Sequence, residues 1–358
     1  MICPKEYLNA TVFSWMTYKD FEACEKLWGT ICAHCGIGVL HRGYWQGKTL
    51  LAKNLKGTAS SVLISGNKNS DLSVGDRSLV LHIFGGLGGN KGDVAPKIPL
   101  TNLQFNAGHF AFGLGKIVID PFTGQQKLNI EYKKVYAHNA KGIVSGSAKW
   151  HSYSGSLQRG WMYTRPLSDV FIKHAAFSNP YQIDGNIVFD PLENVARELE
   201  VMTARFRSGD GTSLAQVTTT NSCVQDSNQA MYIAVMKGLE WMRAGNRLSQ
   251  ASVADQQRFA QLEDIMSDYK NNIVQRAGFR QDWRQSMTDS IAVNKEYAGT
   301  FESYLDLVQS LKVLVPRWAY DDISVLLFKH GATEFFVRTN QVGGVTPDIY
   351  PLAPGFDK

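Results

Sequence analysis

Gly108-His109-Phe110-Ala111-Phe112-Gly113-Leu114-Gly115-Lys116-Ile117-Val118-Ile119-Asp120 is the stretch whose reading decides the fold. Large apolar residues alternate with small ones, the period-two pattern of a buried strand. Pro121 to Gln126 carries turn chemistry, and Lys127 to Asn139 returns with Ile130, Tyr132, Val135 and Tyr136. The pattern predicts a long β-hairpin. If Asp120 pairs with Lys127, His109 lies opposite His138 and the two imidazoles share a face. Ala111, Gly113 and Gly115 line that face, with Tyr136, Tyr132, Ile130 and Leu128 on the partner strand. A one-residue slip would turn these apolar residues to the other side.

A second stretch, Asn221-Ser222-Cys223-Val224-Gln225-Asp226-Ser227, reads as a helix start. Ser222 followed three positions later by Gln225 fits a capping box, with Cys223 as the first helical residue. The helix dipole there predicts a lowered thiol pKa. Steps of three and four from Cys223 reach Ser227, Ala230, Ala234 and Gly238, a stripe of small residues. Two small stripes predict that the helix lies close on the hairpin, thiol against imidazole. The plainer alternative is a buried cysteine acting as a small hydrophobe.

Cysteine hydrolases need a thiolate, a base and a group that orients the base. Cys223 is the candidate nucleophile and His109 the candidate base. His138 is the first choice of orienter, with Asn139 and Glu131 as alternatives. The Cys223 amide and the side chain of Asn221 or Gln225 are candidate oxyanion donors.

The remaining chain supplies more strands and then helices. Ser61–Ser65 and Ser78–Phe84 read as strands, and Pro191 opens a helix with an apolar stripe through Leu192, Val195, Leu199 and Met202. Ala254–Gln275 and the stretch around Phe301 to Leu311 read as helices. The expected organisation is an α+β protein with three parts. Residues 1–74 are an N-terminal extension, 75–245 the core, and 246–358 a helical region packed on it.

Of 358 residues 44% are hydrophobic and 19% charged, so the chain can bury a sizeable core. A net charge of +5 is mild and points away from nucleic acid as a partner. No apolar run is long enough to span a membrane, and the first residues lack the form of a secretion signal. Cytoplasm is the default compartment, although a protein exported by a signal-less route would read the same. Five cysteines, at 3, 24, 32, 35 and 223, make no disulfide framework. Cys24, Cys32, Cys35 and His41 could together supply four zinc ligands. With no second CxxC, buried free thiols are the preferred reading and no metal is expected.

The order of a histidine strand, a polar residue on the next strand and a cysteine at a helix start resembles the circularly permuted papain-like superfamily. Its members include lecithin–retinol acyltransferase-like enzymes and permuted relatives of the NlpC/P60 peptidases. The matching residues are Gly75-Asp76 before a strand, Gly108 to Gly113, His138, and Asn221-Ser222-Cys223. The resemblance implies a papain-like core, an antiparallel sheet with the cysteine helix packed on it. It further implies a cofactor-free cysteine peptidase or amidase that acts on a protein or peptide through an acyl-enzyme. An acyltransferase of the same fold and a non-enzymatic interaction module are the alternatives. Gly108 to Gly238 and Arg338-Thr339-Asn340-Gln341-Val342-Gly343-Gly344 are also similar to the soluble region of cyanobacterial CAAX-protease-like membrane proteins. That membrane chemistry is not carried over, because no span exists here to hold it.

Overall fold

In the computed structural model, residues 59–65, 72–87, 105–122, 124, 126–139, 142–149, 167–208, 223–274 and 316–339 are described. They form an α+β architecture around a seven-stranded antiparallel sheet. In chain order the strands are β1 (Ala59–Ser65), β2 (Arg77–Leu87), β3 (Phe105–Ile119), β4 (Gln126–Asn139), β5 (Gly142–Lys149), β6 (Leu167–Lys173), the small β7 (Tyr181–Ile183) and β8 (Asn186–Phe189), and β9 (Thr333–Thr339). The sheet order is β1-β9-β6-β2-β3-β4-β5, and β7 and β8 make a separate hairpin. The helices are α1 (Ala175–Ser178), α2 (Pro191–Ser208), α3 (Cys223–Arg243), α4 (Arg247–Gln250), α5 (Val253–Tyr269), continued by a π-helical turn over Lys270–Val274, and α6 (Pro316–Lys329). Among the described residues, no helix is long and apolar enough to cross a membrane.

The predicted hairpin forms, in a different register. Ile119 pairs with Gln126 and Phe112 with Lys133, two residues away from the expected alignment. An even shift leaves every side chain on its expected face, so Leu128, Ile130 and Tyr132 still accompany Ala111, Gly113 and Gly115. It does remove the opposition of His109 and His138, because the described ladder ends at Phe112↔Lys133 in a register two residues off the one that would join them. The turn itself sets the shift. The Gly124 amide donates to the Asp120 carbonyl, the Phe122 amide to Asp120 Oδ1, and Lys127 Nζ to Asp120 Oδ2. Gly124 takes the left-handed conformation that closes the loop (φ 65°).

The two faces of the sheet bury different things. Leu79, Leu81, Ile83, Phe110, Phe112, Val170 and Ile172 share one face and one apolar core with the helices. On that face α2, α3 and α6 pack directly on the strands, and α5 packs over α1, α3 and α6. The opposite face carries Val80, Ala111, Ile130, Tyr132 and Phe171, all buried but outside that core. Asp190 ties α2 to the sheet. Its carboxylate takes a two-pronged hydrogen bond from Arg77 at the start of β2, 2.8 and 3.2 Å, and caps α2 by accepting from the Glu193 amide.

β1 falls within residues 1–74, and β9 and α6 within 246–358, yet β9 pairs with both β1 and β6. The sheet therefore runs through all three segments expected from the sequence. The helix predicted over Ala254–Gln275 is α5 with its π turn, and α2 begins at Pro191. Residues 301–311, read as helical from their apolar spacing, lie outside the described residues.

Candidate functional site

Cys223 is the first residue of α3, as the capping pattern predicts, although Asn221 and Ser222 lie outside the described residues. The described β3–β4 ladder ends at Phe112↔Lys133, and two residues further along β3 the Phe110 amide donates to Cys223 Sγ at 3.4 Å. The sulfur therefore occupies the flank of β3 beyond the last rung shared with β4. Phe110 N is covalently next to His109, so the sulfur lies within about 6 Å of the His109 Cα.

The electrostatics of the thiol differ from the expectation. Burial pushes Cys223 up to about 12, and the Asp226 carboxylate in the same turn adds to the rise. The amides of Phe110, Val224 and Cys223 itself oppose both. A helix start contributes the field of partial charges, whereas removing the thiolate from water is the larger effect here. At rest the sulfur is a neutral thiol.

The packing of the small-residue stripes is also corrected. Phe110 and Phe112 share the core with α3, so the helix lies on their face, and strand alternation sends His109, Ala111, Gly113 and Gly115 to the other. The glycines serve the sheet. A Cβ on Gly115 would sit 2.5 Å from the Phe171 ring, and one on Gly113 3.2 Å from Tyr132 Cδ1. On α3, a Cβ at Gly238 would meet the Phe189 ring at 2.0 Å, so this glycine admits β8.

On the face that carries His109 lies a buried polar constellation that no motif announces. His82 of β2 stands directly opposite Asp169 of β6, and its Nδ1 is 2.8 Å from Asp169 Oδ1. Tyr132 of β4 donates its hydroxyl to the same oxygen at 2.7 Å, and its ring lies 4.7 Å from that of His82. A flat sheet would set β4 and β6 about 14 Å apart, farther than a tyrosine and an aspartate span together. The strands thus curl toward this face, and Ala111 and Gly113 leave the room across which Tyr132 reaches. A histidine within the apolar run of β2 and an aspartate in β6 were the only sequence signals for this group.

The other candidates distribute as follows. Gln225 is buried in the first turn of α3, within a run of buried polar residues from Gln225 to Gln229. Tyr269 of α5 donates to Asn228 Oδ1 in that run. Among the described residues, Ser227 Oγ and Asn228 Nδ2 are buried without a hydrogen-bond partner. Glu131 accepts from Lys133, which also bonds Glu200 of α2, so it is engaged on the helix-covered face. His138 and Asn139 belong to β4, but their side chains lie outside the described set. Cys24, Cys32, Cys35 and His41 lie outside it entirely. Among the described residues, no group of three or more His, Cys, Asp or Glu side chains converges as a metal site. Gly75-Asp76 forms the turn into β2, where Asp76 accepts from the Ser73 amide and from Lys173. A surface cleft of about 200 Å³ lies between α2 and the outer end of the hairpin, lined by Arg77, Lys116, Glu131, Lys149 and Glu193. It is roughly 20 Å along β3 from His109 and does not include Cys223.

No family model, no curated protein and no solved structure matches this chain.

Proposed function

We propose that the protein is a cysteine-dependent hydrolase of the permuted papain-like type, acting on the amide bonds of a protein or peptide. The observation that carries this reading is the 3.4 Å contact of Cys223 Sγ with the amide that follows His109. In the proposed reaction the His109 ring, which leaves β3 on the face away from α3, turns to the strand flank that holds the sulfur and takes the thiol proton as the sulfur attacks the carbonyl carbon. The proton passes to the leaving amine as the C–N bond breaks, and water then hydrolyses the Cys223 thioester. Because the thiol is neutral at rest, the proton moves during attack rather than before it. The polar first turns of α3, with Gln225 and the Cys223 amide, are the proposed oxyanion donors. An acyltransferase would use the same covalent step with another acceptor in place of water.

The burial of Cys223 and its raised pKa favour a second reading, in which the thiol is a core residue of a non-enzymatic interaction module. Iodoacetamide labelling of the native protein at pH 7, with the labelled cysteine identified by peptide mass, separates the two. The hydrolase reading expects Cys223 to label in the folded protein, with His109 drawing off the thiol proton, and His109→Ala to slow it tenfold or more (about 1.4 kcal/mol). A Cys223 that labels only after denaturation would end the hydrolase reading.

A further inference from the structure

We propose that His174 is an acid-released latch that ties the start of α1 to the C-terminal end of α6. It stands where β6 turns into α1, and it is half-buried. Its Nδ1 takes a hydrogen bond from the Ala176 amide at 3.1 Å, and its Nε2 lies 3.0 Å from the His330 carbonyl oxygen. One imidazole thus meets two helix ends. Ala176 is in the first turn of α1, where amides have no partner within the helix. His330 directly follows α6, in a closing turn where Gly331 takes the left-handed conformation (φ 92°). The amides of Gly331 and Ala332 bond back to Phe328 and Leu327 there. That turn leads into β9, so the latch closes the end of the sheet where Lys173 of β6 pairs with Thr333 of β9.

The partners dictate the protonation state. A backbone amide only donates and a carbonyl only accepts, so Nδ1 carries a lone pair and Nε2 carries the hydrogen. His174 is therefore a neutral ring whose tautomer is fixed from both sides. A second proton has one place to go, Nδ1, where it would face the Ala176 N–H and break that bond. Burial disfavours the cation as well and holds the His174 pKa below the ordinary histidine value, against a smaller opposing effect of the His330 carbonyl. The unfolded chain takes up its proton near pH ~6.5, and the native state does so only at lower pH. The stability the latch contributes is complete above the unfolded pKa and is lost as the pH falls through the native one.

The charged groups on the elements that meet there have partners of their own. Lys173 of β6 pairs with Asp76, and Arg77 of β2 pairs with Asp190 and Glu193. Arg258 of α5 pairs with Asp255 and also bonds the Ala175 and Asn179 carbonyls at the two ends of α1. Asp268 of α5 accepts from Lys329 and pairs with the His330 ring. Glu334 of β9 accepts from Ser324 under α6. Of these, His330 is the group whose charge bears on His174, and it opposes a second cation beside it.

Nuclear magnetic resonance of the full chain labelled with ¹⁵N, followed from pH 8 to pH 4.5, tests this. His174 should show the Nε2–H tautomer at pH 8 and titrate below about 6.5. The Ala176 amide signal should move with the same midpoint and lose its protection from hydrogen exchange there, while the amides of β2 and β3 stay protected. His174→Asn supplies an acceptor and a donor that do not titrate. The urea midpoint of the parent should therefore fall more between pH 7.5 and pH 5 than that of the variant. An Nδ1–H tautomer, or a midpoint at or above the ordinary value, overturns the proposal. So does an Ala176 amide that ignores the titration, or a His174 that gains its proton only as the whole protein unfolds. A folded variant whose stability changes with pH in parallel with the parent overturns it too. Where His174→Asn fails to fold, the titration of the parent decides.

Discussion

Glu334 shows how far a single side chain can be pushed by its surroundings. It lies on β9 under α6, fully buried, and its Oε2 accepts from Ser324 Oγ at 2.6 Å. Its Oε1 has no hydrogen-bond partner among the described residues. Burial holds its pKa well above the ordinary carboxylate value, against a smaller opposing effect of Ser324. The native state therefore keeps a proton that the unfolded chain releases. Its contribution is complete below the unfolded pKa and is lost as the pH rises toward the native one, at about 1.4 kcal/mol per pH unit. Glu334→Gln should flatten that slope and make the protein more stable than the parent at pH 7 and above. Urea denaturation at pH 5 and pH 8 would show it, and parallel slopes in the two proteins would refute it. Cys223 obeys the same rule, since at both sites loss of water outweighs local hydrogen bonds. Nothing within a few residues of either position in the sequence measures that loss.

At the scale of elements, the small-residue stripes were legible and their partners were not. Gly113 and Gly115 make room for aromatic rings from β4 and β6, and Gly238 makes room for Phe189, which stacks on Tyr181. A stripe of small residues says that something approaches closely, without saying whether a helix, a strand or a ring does so. Gly238→Ala should destabilise by about 1–3 kcal/mol through overpacking, although alanine is the better helix former by about 1 kcal/mol. Combining it with Phe189→Leu should return part of that loss, a rescue that denaturation midpoints would detect. If Gly238→Ala proved neutral, the close seat of β8 on α3 would be wrong. The hairpin register shifted for a related reason: the alternation of apolar residues fixes a face but allows even slips, and the Asp120 hydrogen bonds choose among them.

Across the whole molecule, the sheet is held together by pairs far apart in the chain. β9 lies between β1 and β6, and α6 brings Ala319, Tyr320, Ile323, Leu327 and Phe328 into the common core. A chain ending at Val315 loses both, leaving β1 without its described neighbour and the upper core open. It should unfold without a cooperative transition and bind hydrophobic dyes, whereas a sharp thermal transition would show that residues 75–245 fold independently. The same long-range pairing explains the polar cluster of Tyr132, His82 and Asp169, whose members come from three strands and meet because the sheet curls.

From sequence alone came the α+β class, the hairpin, the start of α3 at Cys223, the helix at Pro191 and a helix over Ala254–Gln275. Each is written in the spacing of neighbouring residues. Tertiary structure alone decided which sheet face receives α3, which strands border β9, and that His82 and Asp169 meet in a hydrogen bond. The reason is physical: periodicity tells a side chain which way to point along its own element, but the element it meets, and the water it loses there, depend on how distant strands are ordered.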